Sequence, residues 1–266
     1  MYGFEYHRPG SLAEAAALLG KLGDGKPLAG GQTLIATMKQ RLAQPSDLVD
    51  LGGIAEMRGI KVEGDTLSIG ALTRHAEVAA SAEVKQRIPA LARLGSTIGD
   101  RQVRAMGTMG GSVANNDPAA DYPAGVLALD GTVVTNKRRI ASADFFTGMY
   151  ETALQPGELI TWISFPVPKR AGYAKFPNPA SRFALVGVFV SQAANGSVRV
   201  AVTGAGPGVF RVAEMEKALA ANFSVDAIAG VKVASDGLNT DIHADATYRA
   251  HLIGVMAKRA VAAALA

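Results

Sequence analysis

Gly107-Thr108-Met109-Gly110-Gly111-Ser112-Val113-Ala114-Asn115-Asn116-Asp117-Pro118-Ala119-Ala120-Asp121 is the stretch that decides how this chain is read. It packs three glycines, two hydroxyls, two asparagines and two carboxylates into one short segment. That assortment suits contacts to a pyrophosphate and to ribose or ribityl hydroxyls. Each residue singly also has a plain structural use, because Asn and Asp stabilise turns by bonding their own backbone, and Asp117-Pro118 readily starts a turn. Upstream, Leu28-Ala29-Gly30-Gly31-Gln32-Thr33-Leu34 ends a strand in two glycines and opens a helix at a hydroxyl residue. Glycine lets a ligand approach the backbone closely, and the first turn of a helix presents unpaired N–H groups to a phosphate. A tight strand-to-helix turn with Thr33 as its cap accounts for the same residues. Neither loop has the G-x-G-x-x-G spacing of a dinucleotide fingerprint, and no P-loop is present. Two separate glycine pairs point to one extended cofactor gripped from two sides.

Working outward, Ser11 to Leu22 carries apolar residues at helical spacing, with Ser11 and Glu14 placed as a capping box. Lys26 to Ala29 reads as a short strand, Thr33 to Arg41 as a helix and Asp47 to Leu51 as a strand. Gly59 to Gly70 reads as a hairpin turning at Glu63-Gly64-Asp65. Helices follow at Arg74 to Ala80 and at Ala82 to Leu94, the latter interrupted by Pro89. Gly95 to Asp121 shows no regular period and is expected to be an irregular functional loop. A helical stub at Ala124 to Leu129, a hairpin from Gly131 to Ile140 and an apolar strand from Glu158 to Pro166 come next. The chain is expected to change domain near Pro166 to Gly172. Beyond it, strands at Ala184 to Gln192 and Ser197 to Thr203, with helices at Ala213 to Ala221 and Tyr248 to Leu265, form an α+β tail.

At 266 residues, 48% of them hydrophobic, the chain has the length for two domains and can bury a sizeable core. Its apolar runs fall well short of the roughly 20 residues that a membrane span needs. The N-terminus has no apolar segment after a basic start, so a cytoplasmic location is expected. With no cysteine, this chain can supply no disulfide, thiolate zinc site, iron–sulfur ligand or cysteine nucleophile. The net charge of +4 comes from scattered cations, and its longest run, Lys137-Arg138-Arg139, reads as a solvated hairpin turn rather than a nucleic-acid surface. The histidines, His7, His75, His243 and His251, share no metal-ligand spacing, and no Ser-His-Asp set stands out.

The segment Ala29-Gly30-Gly31-Gln32-Thr33-Leu34 with Met38-Lys39, followed by Gly107-Thr108-Met109-Gly110-Gly111-Ser112 and then Asn115, Asp117-Pro118-Ala119-Ala120-Asp121, resembles the paired flavin signatures of FAD-binding medium subunits of the molybdenum hydroxylases, the xanthine oxidase and carbon monoxide dehydrogenase family. The opening Phe4 to Pro9, the Pro156-Gly157-Glu158-Leu159-Ile160 segment and the closing helix from Tyr248 resemble it too, so the likeness spans the chain. The resemblance implies an α+β fold: a two-subdomain FAD-binding module of the vanillyl-alcohol-oxidase (PCMH) type over 1–168, with subdomains of about 1–55 and 56–168. A small C-terminal α+β domain with an antiparallel sheet would follow over 169–266.

Carried over by position, Ala29, Gly30, Gly31, Gln32, Thr33 and Leu34 would hold the diphosphate of FAD. Thr108, Gly110, Gly111 and Ser112 would close over it, Asn115, Asp117 and Ile160 would line the same site, and Asp121 would bond sugar or ribityl hydroxyls. Lys175 falls where the family places a lysine near the flavin, where a cation favours the anionic reduced form; a surface lysine on a strand is the alternative. Phe183 falls where relatives put an aromatic near the isoalloxazine face, and equally suits a core. The chain departs from the family at Thr33 for serine, at Ala36 for proline, and at Arg182-Phe183, where a tyrosine is common at the second position and Asp-Tyr or Asp-Phe is frequent before the strand.

The function so implied is electron transfer. A large partner would carry the molybdenum cofactor, a small partner two [2Fe-2S] clusters, and this chain the FAD that passes electrons to an external acceptor, in a dimer of heterotrimers. A stand-alone flavin oxidoreductase would need a larger substrate domain than this tail, and a cofactor-free scaffold would have no use for two intact glycine pairs.

Overall fold

The computed structural model describes residues 1–266, arranged on three sheets and one two-stranded ribbon. The first sheet is parallel: β1 (Glu5–His7), β2 (Gly25–Leu28) and β3 (Asp47–Asp50) stand in the order β1-β3-β2, with α1 (Leu12–Lys21) and α2 (Leu34–Lys39) as crossovers. The Ser11 hydroxyl accepts the Glu14 N–H at 3.2 Å and starts α1. The other half of the expected capping box goes elsewhere, since the Glu14 carboxylate accepts the N–H of Gly10 at 2.9 Å. Thr33 is not a cap: its backbone is already helical and its hydroxyl makes no capping bond.

The second sheet is antiparallel. It comprises β4 (Ile60–Glu63), β5 (Thr66–Gly70), then, after a run of helices, β6 (Thr132–Thr135), β7 (Arg139–Ala141) and the later strand from Ile160 to Pro166. The helices between β5 and β6 are α3 (His75–Ala80), α4 (Ala82–Arg87), α5 (Pro89–Ser96), α6 (Arg101–Met106), α7 (Met109–Asn115) and α8 (Tyr122–Ala128). After β7, a helical turn α9 (Ser142–Phe145) leads into the ribbon of β8 (Phe146–Gly148) and β9 (Glu151–Thr152), and β10 (Ile160–Pro166) follows. The order is β4-β5-β10-β6-β7. Both hairpins read from the sequence therefore flank one strand, with Ile163 opposite Ile69 on one side and Val133 on the other.

Gly95 to Asp121 is not the irregular loop its composition predicts. It holds the end of α5 and all of α6 and α7. Side-chain caps start both new helices: Asp100 accepts the Val103 N–H at 2.8 Å, and Thr108 accepts the Gly111 N–H at 3.2 Å. Their small residues hide the helical period, for α7 buries Met109, Gly110 and Val113, and only two of these read as apolar anchors.

The third sheet, β11 (Arg170–Pro177), β12 (Ala184–Gln192), β13 (Val198–Thr203) and β14 (Phe210–Arg211), is antiparallel in chain order. Helices α10 (Ala213–Ala221) and α11 (Ala246–Leu265) complete the chain. Alternation along β12 and β13 sends Val188, Val190, Val200 and Val202 into a core with α10 and α11, whereas Phe189 and Ala201 join the main core with α8 and Tyr173 of β11. The third sheet is thus clasped on both faces. No helix is long and apolar enough to cross a membrane.

Candidate functional site

The two glycine loops meet. Leu28 closes β2, and Gly30 then runs so near the end of α6 that a Cβ on it would stand 2.2 Å from the Met106 carbonyl oxygen and 2.7 Å from the Gly107 Cα. On the far side, the 107–110 segment is zipped to the chain leaving β5: His75 donates its N–H to Gly107 O, Met109 to Thr73 O and Gly110 to Ala71 O, at 2.8–3.0 Å. A Cβ on Gly110 would lie 2.4 Å from that of Ala71. Glycine is needed at both positions because backbone or a fixed methyl fills the space a side chain would take.

Around this junction lies a cleft of about 550 Å³. Fifteen of the sixteen residues picked from the sequence line it: Ala29, Gly30, Gly31, Gln32, Thr33, Leu34, Thr108, Gly110, Gly111, Ser112, Asn115, Asp117, Asp121, Ile160 and Phe183. The exception is Lys175, which stands behind Asp121 instead of in the wall, and is buried, not a surface lysine.

The donors facing the cleft are unequal. No acceptor within the protein takes the backbone N–H groups of Gly30, Gly31, Gln32 and Thr33, and Gly31 has φ +70°. Such a run of unpartnered amides suits an anionic oxygen cluster. In the second loop the N–H of Gly110 is already committed to Ala71, and that of Gly111 to the Thr108 hydroxyl. These two glycines serve close packing, Gly110 against Ala71 and Gly111 against Thr108, and offer the cleft no free donor.

Asp121, at the start of α8, is 4% exposed and ties the second sheet's helices to β11. Lys175 Nζ lies 2.9 Å from Asp121 Oδ1 and also donates to Thr97 O at 3.1 Å, while the Tyr173 hydroxyl donates to Asp121 Oδ1. Burial raises the Asp121 carboxyl above its ordinary range, against the downward pull of Lys175 and Tyr173. Asp117 accepts the Ala119 N–H at 2.8 Å and the Tyr150 hydroxyl at 3.3 Å. Phe183 is 48% exposed at the cleft mouth, next to Arg182 with φ +62°. It is a rim residue and not core.

Sequence reading missed several wall residues, among them His75, Ile98, Gly99, Tyr150, Leu154 and Glu158. Tyr150 arrives from the β8–β9 ribbon, which the Asn116 side-chain amide pins by donating to Gly148 O and Glu151 O. Glu158 is held by the expected surface triplet: Arg138 Nε donates to it at 3.0 Å, joined by the Thr135 hydroxyl at 2.7 Å and the Gln155 N–H at 2.9 Å. The Arg138 hydrogen bond, foremost, draws the Glu158 carboxyl down from 4.5 to about 2. A carboxyl lowered on folding stabilises fully above its unfolded value, and the contribution fades as pH falls from about 4.5 toward about 2. Glu158→Gln is accordingly expected to be less stable than wild type at neutral pH, with the gap closing across that window. Denaturant midpoints measured against pH check this, and a gap independent of pH would refute it.

The family model described as the FAD binding domain in molybdopterin dehydrogenase matches residues 2–168, more than half of the chain. The chain belongs to that family. The resemblance read from the two glycine loops is therefore borne out. Among relatives of this FAD-binding family, the carbon monoxide dehydrogenase medium chain of Hydrogenophaga pseudoflava is 37% identical over 99% of this chain and 97% of its own. The nicotine 6-hydroxylase medium subunit of Paenarthrobacter nicotinovorans is 35% identical over 96% and 95%. The fold matches a chain of the reconstituted CO dehydrogenase from Oligotropha carboxidovorans with a TM-score of 0.88, at 35% identity over 99% of this chain and 98% of that one.

Proposed function

We propose that this chain is the FAD-binding medium subunit of a molybdenum hydroxylase, an electron relay whose substrate chemistry resides on a partner. The observation that carries the reading is the junction of the two glycine loops, where four backbone N–H groups without partners face a cleft. Gly30, Gly31, Gln32 and Thr33 would hold the FAD diphosphate through those groups, with Thr108 and Ser112 opposite. Asn115, Asp117 and Asp121 would orient the sugar and ribityl hydroxyls. Ala29, Leu34 and Ile160 shape the apolar wall, and Phe183 shields one end. Lys175 acts through Asp121, fixing the carboxylate that reaches the cleft. When bound, FAD supplies the carrier that takes electrons from a small subunit's [2Fe-2S] clusters and yields them to an external acceptor.

In this reading the FAD-binding module spans 1–168 and the smaller α+β domain 169–266, a division supported by the end of the second sheet at Pro166 and the start of the third at Arg170. With no cysteine in the chain, the iron–sulfur clusters belong to a partner. The medium chain and medium subunit named among the relatives support an assembly with a large and a small partner; in this reading the large one carries the molybdenum cofactor, the small one the [2Fe-2S] clusters, and the whole forms a dimer of heterotrimers in the cytoplasm. The test is the visible spectrum of the protein purified from its native host, with acid release of any flavin and identification of every co-purifying chain. Stoichiometric FAD with a large and a small partner is expected. A colourless single chain would overturn the reading in favour of a scaffold.

A further inference from the structure

His75 opens α3 beside the glycine junction, lines the cleft and is 5% exposed. Its backbone N–H is bound to Gly107 O at 2.9 Å, which fixes the residue to the second loop. Its ring is turned toward the same glycine: a Cβ on Gly107 would lie 2.6 Å from Nε2. The Nε2 edge of the ring thus fills the place a side chain on Gly107 would take, and glycine there is what lets the imidazole stand in the cleft wall beside the junction.

The opposite edge of the ring is sealed. Nδ1 is buried without a partner, and so is the hydroxyl of Tyr122, whose ring centroid lies 5.3 Å away at a tilt of 46°. Two neighbouring buried groups, both lacking a partner, are uncommon in folded proteins, where such groups are nearly always bonded. One is an acceptor in need of a donor, the other a donor in need of an acceptor, provided the imidazole is neutral with its proton on Nε2. Burial, helped by the charge of Arg104, lowers the His75 pKa from 6.5 to about 4, so the ring is neutral at physiological pH.

We propose that His75 is a further cofactor-positioning residue, donating from Nε2 past Gly107 to an oxygen of the bound FAD while the Tyr122 hydroxyl closes onto Nδ1 and fixes the tautomer. The inference rests on the FAD reading above. It adds a neutral donor from a side chain to a site otherwise built from backbone amides. Neutrality distinguishes it from a charged phosphate clamp: such a donor orients the cofactor without trapping it by net charge.

The experiment uses the full chain stripped of flavin and retitrated with FAD, following flavin fluorescence. His75→Leu, which fills the space but cannot donate, is expected to raise the FAD Kd about tenfold, while His75→Gln, which offers an amide near Nε2, stays within about threefold of wild type. Tyr122→Phe removes the tautomer lock and should fall between them. In histidine-labelled protein, the ¹⁵N signals of His75, identified by their loss in His75→Gln, should show an Nε2-protonated neutral ring with FAD bound. Wild-type affinity in a His75→Leu protein whose circular dichroism is unchanged would overturn the proposal and leave the FAD reading standing. If His75→Leu does not fold, a ring protonated on Nδ1 in the wild-type complex overturns it as well. Wild-type protein that binds no FAD overturns both readings.

Discussion

Gly30→Val is expected to abolish FAD retention while leaving the third sheet and α11 folded. The first β-carbon alone would stand 2.2 Å from the Met106 carbonyl oxygen, and valine adds two methyls. Overpacking costs about 1–3 kcal/mol where neighbouring side chains can give way. Here the obstacle is backbone held by three hydrogen bonds to the 71–75 segment, so the loops must separate. Parting them displaces the amides of Gly30 to Thr33 from whatever they hold. Gly254→Ala is the matched control, since a Cβ there meets nothing within 4 Å in the middle of α11. It should keep full FAD content and gain about 0.5–1 kcal/mol from helix propensity. Flavin content after gel filtration, with a thermal melt of each protein, decides the matter. Stoichiometric FAD in Gly30→Val would refute the assignment of this loop.

The second large effect concerns Asp121. Its removal strands the Lys175 ammonium, whose side chain is 5% exposed, with a single carbonyl partner, and leaves the buried Tyr173 hydroxyl unbonded. Breaking a buried pair from one side costs about 3–5 kcal/mol. Asp121→Ala should therefore lose about that much stability in flavin-free protein, and Asp121→Asn less, because an amide oxygen still accepts from Tyr173. Asp121→Ala with Lys175→Met should recover part of the loss, since no uncompensated charge remains. Denaturant unfolding of wild type, Asp121→Ala, Lys175→Met and the double variant gives the coupling directly. A double variant no more stable than Asp121→Ala alone would show that the ion pair is not what holds β11 to α8.

Much of this site was legible in the residues. The glycine pairs and their polar neighbours announced a cleft wall because backbone approach restricts residue choice to glycine and small polar groups, and this restriction shows in a single sequence. Long-range pairing left no such trace. His75 reaches the wall because β5 hands the chain to the 107–110 loop, and Tyr150 because Asn116 pins a ribbon far along the sequence; neither residue has a local signature. The pairing of Lys175 with Asp121 left no trace either, since a lone lysine in a strand says nothing about a carboxylate on another element. The 95–121 segment misled for a related reason: helices made of small residues and capped by single side chains carry almost no apolar period.

The only tryptophan, Trp162, lies on β10 beneath the Lys61 ammonium, 4.4 Å from the ring centroid. Two residues before it on the same strand is Ile160 of the cleft wall, a rise of about 7 Å. Indole emission overlaps flavin absorption, so a flavin seated in the cleft drains the excitation of this one indole by resonance energy transfer. The protein therefore contains its own optical gauge of occupancy, and loading can be timed in an unlabelled chain by the dimming of a single fluorophore.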